Sequence, residues 1–301
     1  MKPLLEAIKE RILLGDGAMG TQLQLAGLEP GGCGEAWNVE HPERVLAIQK
    51  RYADAGSDCL ITNTFGGSQI MLERYERGDR VAEINRAAAS IAREAFGGRP
   101  GYVLGDIGPF GGLMEPYGDV EAERVRDAFA EQAEALVAGG VDAVIIETQT
   151  SLEELGIGIE AAKNAGAPCV IGSMAFDVMH DGQDIKTMMG IGPEDAAAFM
   201  KDAGVDIMAM NCGTGIDVRW AAKAIPRFRQ ICDLPTMAQP NAGTPVLENM
   251  KVVYKQTPEE MAAELPDLLA VGVNIVGGCC GSRAEHIAKF RKLLDATQPS
   301  Q

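Results

Sequence analysis

Short apolar runs alternate with amphipathic stretches along almost the whole chain. The runs are RILLGD (11–16), DCLITNTF (58–65), YVLGDIG (102–108), VDAVIIE (141–147), APCVIGSM (167–174), VDIMAMN (205–211), LPTMAQ (234–239) and VNIVGG (273–278). Each is too short for a helix and nearly all apolar, as strands buried on both faces are. Between them, 42–56, 80–96, 121–140, 151–166, 193–204, 218–231, 257–272 and 283–296 carry apolar residues at helical spacing. Several of these start with Ser, Thr or Pro followed by Glu, and several end in Ala-Gly or Val-Gly. Those are helix start and left-handed stop signals. Pro266 falls inside one of them and is expected to kink it.

Eight strand–helix units in succession imply a parallel sheet covered by helices, and eight strands is the number that closes a barrel. The expected fold is an α/β (β/α)8 TIM barrel, a single domain over 1–301. A doubly wound open sheet is the alternative, because periodicity does not report closure. No linker, low-complexity run or charge block divides the chain. Its 36 glycines point to many tight loops.

A formal net charge of −16 argues against a nucleic-acid partner, since a phosphate backbone needs a basic footprint. No run approaches the roughly 20 apolar residues that span a bilayer, so no membrane partner is expected. The opening MKPLLEAIKER has acidic residues and no cleavage site, and is not read as a signal peptide. Seven cysteines, an odd number, fit a reducing cytoplasm in which thiols serve packing or metal.

In such a barrel the chemistry sits where strands give way to the following loops. Cys212 (in NCGTG) ends the sixth run, and Cys279-Cys280 (in GGCCG) end the eighth. In a closed barrel one strand separates them. Three thiolates suit Zn²⁺, and three protein ligands leave a fourth position open, as in catalytic zinc sites. The competing readings are core packing or a redox couple. Strand-end placement and the flanking Gly277, Gly278 and Gly281 favour metal. Cys59, Cys169 and Cys232 lie in or beside apolar runs and are expected in the core; Cys33 receives no role.

Other motifs are less specific. GDGAMG (15–20) matches G-x-G-x-x-G, but Gly27, Pro30, Gly31 and Gly32 interrupt the helix a dinucleotide site requires. Backbone N–H groups in that turn can instead hold a carboxylate. Glu147 ends a strongly apolar run and must be paired, either in an internal salt bridge or with a ligand ammonium. His41, His180 and His286 end no strand and are expected at the surface. Met174, Met179, Met188 and Met189 in the segment 173–195 form either packing or an adaptable docking surface.

The stretches LLGDGAMGTQLQ (13–24), EAWNVEHPERV (35–45), ITNTFGGS (61–68), IIETQTSLEE (145–154), NCGTG (211–215), QPNAGTP (239–245) and NIVGGCCGSRAEHI (274–287) occur in order over nearly the whole chain. Through them the chain resembles the homocysteine S-methyltransferase family, in particular the homocysteine-binding barrel of cobalamin-dependent methionine synthase. The resemblance implies a zinc ion held by Cys212, Cys279 and Cys280 that activates the substrate thiolate. It implies that Glu147 takes the substrate ammonium and that the turn Asp16-Gly17-Ala18 takes its carboxylate; Ala18 stands where the family usually has glycine. The Asn241 amide oxygen is expected to fill the open zinc position when no thiol is bound.

The implied function is zinc-dependent thiol S-methylation in methionine biosynthesis. A methyl group would pass from a corrinoid (methylcobalamin) carrier, on a separate protein or domain, to homocysteine. Alternatives are an S-methylmethionine-type sulfonium donor, a different small thiol acceptor, or a non-catalytic zinc barrel acting as thiol sensor or assembly partner.

Overall fold

The computed structural model describes residues 1–248 and 251–297. Eight parallel strands form one sheet: β1 (Leu13–Leu14), β2 (Cys59–Ile61), β3 (Tyr102–Ile107), β4 (Ala143–Gln149), β5 (Val170–Met174), β6 (Ile207–Asn211), β7 (Thr236–Gln239) and β8 (Ile275–Val276). Their order is β1-β8-β7-β6-β5-β4-β3-β2. The remaining seam, between β1 and β2, is stitched by individual hydrogen bonds. The Asp58 amide donates to the Leu14 carbonyl (2.7 Å) and the Leu14 amide to Asp58 Oδ2 (2.9 Å). The Ile61 amide donates to Asp16 Oδ2 (2.8 Å). The fold is thus a nearly closed (β/α)8 barrel.

The crossovers are α1 (Pro42–Asp54), α2 (Val81–Ala95), α3 (Ala122–Ala138), α4 (Leu152–Asn164), α5 (Pro193–Ala203), α6 (Val218–Arg229), α7 (Pro258–Ala270) and α8 (Ala284–Thr297). Three have proline in the first turn, where its missing N–H costs nothing. Glycines 56, 140, 166, 204 and 272, just beyond five of them, have positive φ, the left-handed stop expected from the sequence. Helix α7 runs through Pro266 without a break.

Residue parity separates two apolar layers. Leu13, Leu104, Ile145, Ile171, Ile207, Ala209, Met237 and Ile275 pack inside the barrel, where Leu4 and Ile8 of an additional N-terminal helix (Leu4–Glu10) close its lower end. Their neighbours Leu14, Val103, Val144, Ile146, Val170, Met208, Ala238 and Val276 face the helices. Alternation along a strand sends successive side chains to opposite faces. A uniformly apolar run therefore feeds both layers.

β1 and β8 are shorter than the apolar runs suggest. Glycine takes over at their ends, and the hydrogen bonds continue without regular strand geometry: the Gly15 amide to the Val276 carbonyl (2.8 Å), the Gly278 amide to the Asp16 carbonyl (2.8 Å). Two hairpins, Asp177–Val178 with Ile185–Lys186 and Pro245–Glu248 with Lys251–Tyr254, rise from the loops after β5 and β7. Among the described residues no helix is long and apolar enough to cross a membrane.

Candidate metal and thiol site

The same parity fixes what lies at the barrel mouth. Two residues above Leu104, Ile145, Ile171, Ala209 and Met237 come Asp106, Glu147, Ser173, Asn211 and Gln239. The inward positions turn from aliphatic to polar in one step along five strands. Asp106, Glu147 and Gln239 line a cavity of about 420 Å³, together with Asp16, Gly17, Ala18, Thr148 and all three strand-end cysteines.

The Sγ atoms of Cys212, Cys279 and Cys280 lie within 4.8 Å of one another, and those of Cys212 and Cys280 are 3.6 Å apart. All three thiols are free. A disulfide would hold its sulfurs at about 2.05 Å. Tetrahedral zinc, with Zn–S near 2.3 Å, sets its sulfurs about 3.8 Å apart. The donor set and its spacing therefore fit that metal.

Local backbone explains how the thiols converge. Cys212 has φ of +54°, a left-handed conformation uncommon for a residue with a Cβ, and Gly213 follows at +84°. A Cβ on Gly213 would run into the Phe176 carbonyl oxygen, so this turn requires glycine. The exit of β7 ties both thiol loops together. The Cys212 amide donates to the Gln239 carbonyl (3.2 Å), the Cys279 amide to the Pro240 carbonyl (2.8 Å), and the Ala242 amide to the Cys280 carbonyl (2.9 Å). Asn241 donates through Nδ2 to the Gly213 carbonyl (2.7 Å), while its Oδ1 is buried with no hydrogen-bond partner.

Charge in the cluster is uneven. Cys280 is held well below the usual thiol range because it accepts hydrogen bonds from Cys212 and Cys279, and also from the Tyr254 hydroxyl. Cys279 is pushed up by its hydrogen bonds to Cys212 and Cys280 and by burial. Tyr254 comes from the hairpin after β7 and packs over Gly281, whose φ is +79°.

Three carboxyl groups share the other side of the cavity. Burial lifts Asp16 to about 8, with the charge of Glu147 adding to it and the Ile61 amide opposing it. Burial lifts Glu147 to about 7, opposed by its hydrogen bond to Asp106. Asp106 is raised well above the usual carboxylate range, by burial and then by the charge of Glu147. The hydrogen bond between the two raises Asp106 and lowers Glu147, so a proton shared by the pair favours Asp106. Among the described residues no lysine, arginine or histidine pairs with Glu147. Asn211 Nδ2 is its other polar neighbour (3.4 Å).

In the turn expected to take a carboxylate, the Ala18 amide reaches Ser282 Oγ (3.3 Å) and the Ala18 carbonyl accepts from the Tyr52 hydroxyl (2.7 Å). A Cβ on Gly17 would meet Ser282 and Tyr52.

The structure therefore gathers Asp16, Gly17, Ala18, Glu147, Cys212, Cys279 and Cys280 around one cavity and sets Asn241 beside the Cys212 loop. Three neighbours carried no assigned role in the sequence: Asp106, Asn211 and Tyr254. The first two had a signal, since both end an apolar run at the inward parity. Tyr254 had none, because its placement depends on a hairpin outside the strand–helix repeat.

One surface expectation is corrected, and the open reading of the methionines divides between its two alternatives. His286 is 1% exposed: it accepts the Arg283 amide at Nδ1, and its Nε2 bonds the Gln256 carbonyl, so it braces the start of α8. Met174 is fully buried, whereas Met179, Met188 and Met189 are exposed on the loop and hairpin after β5. Cys59 and Cys169 are in the core as expected, and Cys232 packs at its edge.

The sequence profile described as Homocysteine S-methyltransferase matches residues 13–294. A methionine synthase of Mycobacterium leprae is 34% identical over 319 residues, covering 98% of this chain and 26% of that protein. The Mycobacterium tuberculosis methionine synthase is 34% identical over 301 residues, covering 94% and 25%. The chain spans about a quarter of the length of these curated relatives. Among solved structures, the metallated form of the homocysteine methyltransferase MmuM from Escherichia coli aligns with a TM-score of 0.75 at 22% identity, covering 95% of this chain and 97% of that one. The carboxyl transferase domain of Rhizobium etli pyruvate carboxylase aligns at 0.54 and 15% identity, over 95% of this chain and 46% of that one. At such identities these likenesses bear on the fold alone.

Proposed function

The chain belongs to the homocysteine S-methyltransferase family, and from that premise we propose that it transfers a methyl group to the sulfur of homocysteine, giving methionine, with Zn²⁺ held by Cys212, Cys279 and Cys280. The observation that carries this reading is the convergence of three free thiols within 4.8 Å at a cavity that also presents Glu147.

Zinc bound there lowers the pKa of a further thiol ligand, so that a small thiol is a nucleophilic thiolate at neutral pH. The chain's own residues orient it. Glu147 faces the ammonium of the amino-acid thiol, and the Asp16-Gly17-Ala18 turn faces its carboxylate with backbone N–H groups. Asn241, whose buried Oδ1 lacks a partner, would be the residue to hold zinc alongside the thiols in the absence of substrate. Asn211 holds the β4 and β6 ends in register, so that the ammonium site and Cys212 keep a fixed separation. Holding thiolate and methyl donor in one geometry supplies most of the remaining acceleration. No general base is required if the thiol proton leaves on binding.

We assign the donor to a methylated corrinoid carried on a separate protein or domain, on the resemblance of QPNAGTP (239–245) to the cobalamin-linked branch. The test is methionine formation by the zinc-loaded protein from homocysteine with methylcobalamin, a methylated corrinoid protein or S-methylmethionine. Turnover with the sulfonium alone would replace the donor. Binding of homocysteine without turnover from any donor would leave a thiol sensor.

A further inference from the structure

Asp106 is 2% exposed, lines the cavity and sits at the inward parity of β3. Its backbone is fixed from three sides: the Asp106 amide donates to Thr62 Oγ1 (3.0 Å), and its carbonyl accepts from Thr64 Oγ1 (2.7 Å) and Gln132 Nε2 (3.1 Å). The side chain has no such support. Among the described residues no N–H group or hydroxyl donates to its carboxyl, Oδ1 is fully buried without a donor, and its polar partner is Glu147. A second buried carboxyl beside Glu147 has no structural use, since replacing either by an apolar residue would remove a desolvation cost.

The charge of the cavity gives it one. The lining residues include Asp16, Glu35, Asp106 and Glu147 and no lysine, arginine or histidine. An ammonium group brings three donors and no acceptor. Glu147 alone, already engaged by Asn211, leaves some of those donors unmet. The unpartnered Oδ1 of Asp106 is buried at the wall of the same cavity.

Resting on the methyltransferase reading above, we propose that Asp106 is a specificity-determining residue that receives the substrate ammonium jointly with Glu147. It restricts the acceptor to thiols bearing an α-amino group. A thiol carrying a carboxylate without an ammonium brings no cation to set against these carboxyls and is disfavoured. A thiol carrying both groups places its cation between two carboxyls and leaves its own carboxylate to backbone N–H groups.

The experiment compares homocysteine with 4-mercaptobutanoate, the same chain without the amine, by calorimetric titration of zinc-loaded wild type and Asp106→Asn. The amide is nearly isosteric; Asp106→Ser serves as a second, smaller uncharged variant should the first fold poorly. Wild type is expected to favour homocysteine by at least about 100-fold. Each variant should lower that ratio about tenfold or more, the usual size of a hydrogen bond to a charged group, with zinc content unchanged. In turnover the loss should fall on KM rather than kcat. A variant that keeps the wild-type ratio within about twofold overturns the role of Asp106 while leaving methyl transfer intact. Wild type binding neither thiol would overturn both readings.

Discussion

Thr148 and Asn211 hold each other in both directions across the barrel mouth. The Thr148 amide donates to Asn211 Oδ1 at 2.9 Å, and Asn211 Nδ2 donates to Thr148 Oγ1 at 2.7 Å. Thr148 has φ of +58°, and Cys212, the residue after Asn211, has +54°. Left-handed non-glycine residues cost about 1 kcal/mol or more each and persist only where their surroundings over-determine them. Here two strained positions, one beside Glu147 and one a thiol of the cluster, are clamped by one amide side chain. Asn211 Oδ1 also accepts from Ser173 Oγ at 2.7 Å.

Removing that clamp should damage stability and the thiol site together. Asn211→Ala strands the Thr148 amide and the Ser173 hydroxyl, at about 1–3 kcal/mol per unmet buried group. The expected total is about 2–6 kcal/mol, read from urea denaturation. Freed from the clamp, Cys212 can relax out of its left-handed turn, so zinc affinity should fall as well. Ser173→Ala, which empties only one of the bonds to Asn211, should cost about 1 kcal/mol and keep the metal.

On the proposed zinc site, metal content should depend on three sulfurs from two strand ends. Cys212→Ser, Cys279→Ser and Cys280→Ser should each abolish near-stoichiometric zinc, measured by elemental analysis after dialysis. Gly213→Ala should do so with all three ligands in place, because its Cβ cannot clear the Phe176 carbonyl. Full zinc occupancy in Gly213→Ala would show that the Cys212 turn tolerates rearrangement. Glu147→Ala, by contrast, should weaken homocysteine binding more than zinc binding.

The strand–helix count, the helix stops and the two thiol-bearing strand ends were legible because each follows from a local rule: period, glycine, residue type. Asp106 and Asn211 were legible in principle, since parity counted from Leu104 and Ala209 puts both inside. They were passed over because a polar residue ending an apolar run has no sign of its own until its neighbours across the sheet are known. Closure through Asp58 and Asp16 was not legible. It depends on side chains replacing a β1–β2 ladder, and β1 has only two residues in regular strand geometry. Tyr254 and His286 were hidden for the same reason: their partners, Cys280 and the Gln256 carbonyl, are met through loops outside the repeat.

The uneven charge of the thiol cluster predicts an order of reactivity in metal-free protein. The thiolate is the nucleophile, and hydrogen bonds from Cys212, Cys279 and Tyr254 stabilise it on Cys280. Limited alkylation with iodoacetamide at neutral pH should therefore label Cys280 before Cys279, as read by peptide mass spectrometry. Tyr254→Phe removes one donor, raises the Cys280 pKa and should narrow that difference. Zinc should suppress labelling at all three positions.

Glu154, which does not line the cavity, offers a test of pH dependence apart from the thiol cluster. It lies in the first turn of α4, 6% exposed, and its Oε1 accepts the Phe110 amide at 2.8 Å. Burial lifts its carboxyl from 4.5 to about 7, with the Phe110 bond opposing the shift. Between those values the folded protein keeps a proton that the unfolded chain has released. Stability contributed by this group is therefore complete below about pH 4.5 and falls as pH rises towards 7. Glu154→Gln can still accept the Phe110 amide and carries no charge at any pH. It should match wild type near pH 4 and exceed it by about 1–3 kcal/mol at pH 8, measured by urea denaturation at the two pH values. A constant difference across that range would mean that Glu154 binds its proton alike in the folded and unfolded protein, the Phe110 amide offsetting its burial.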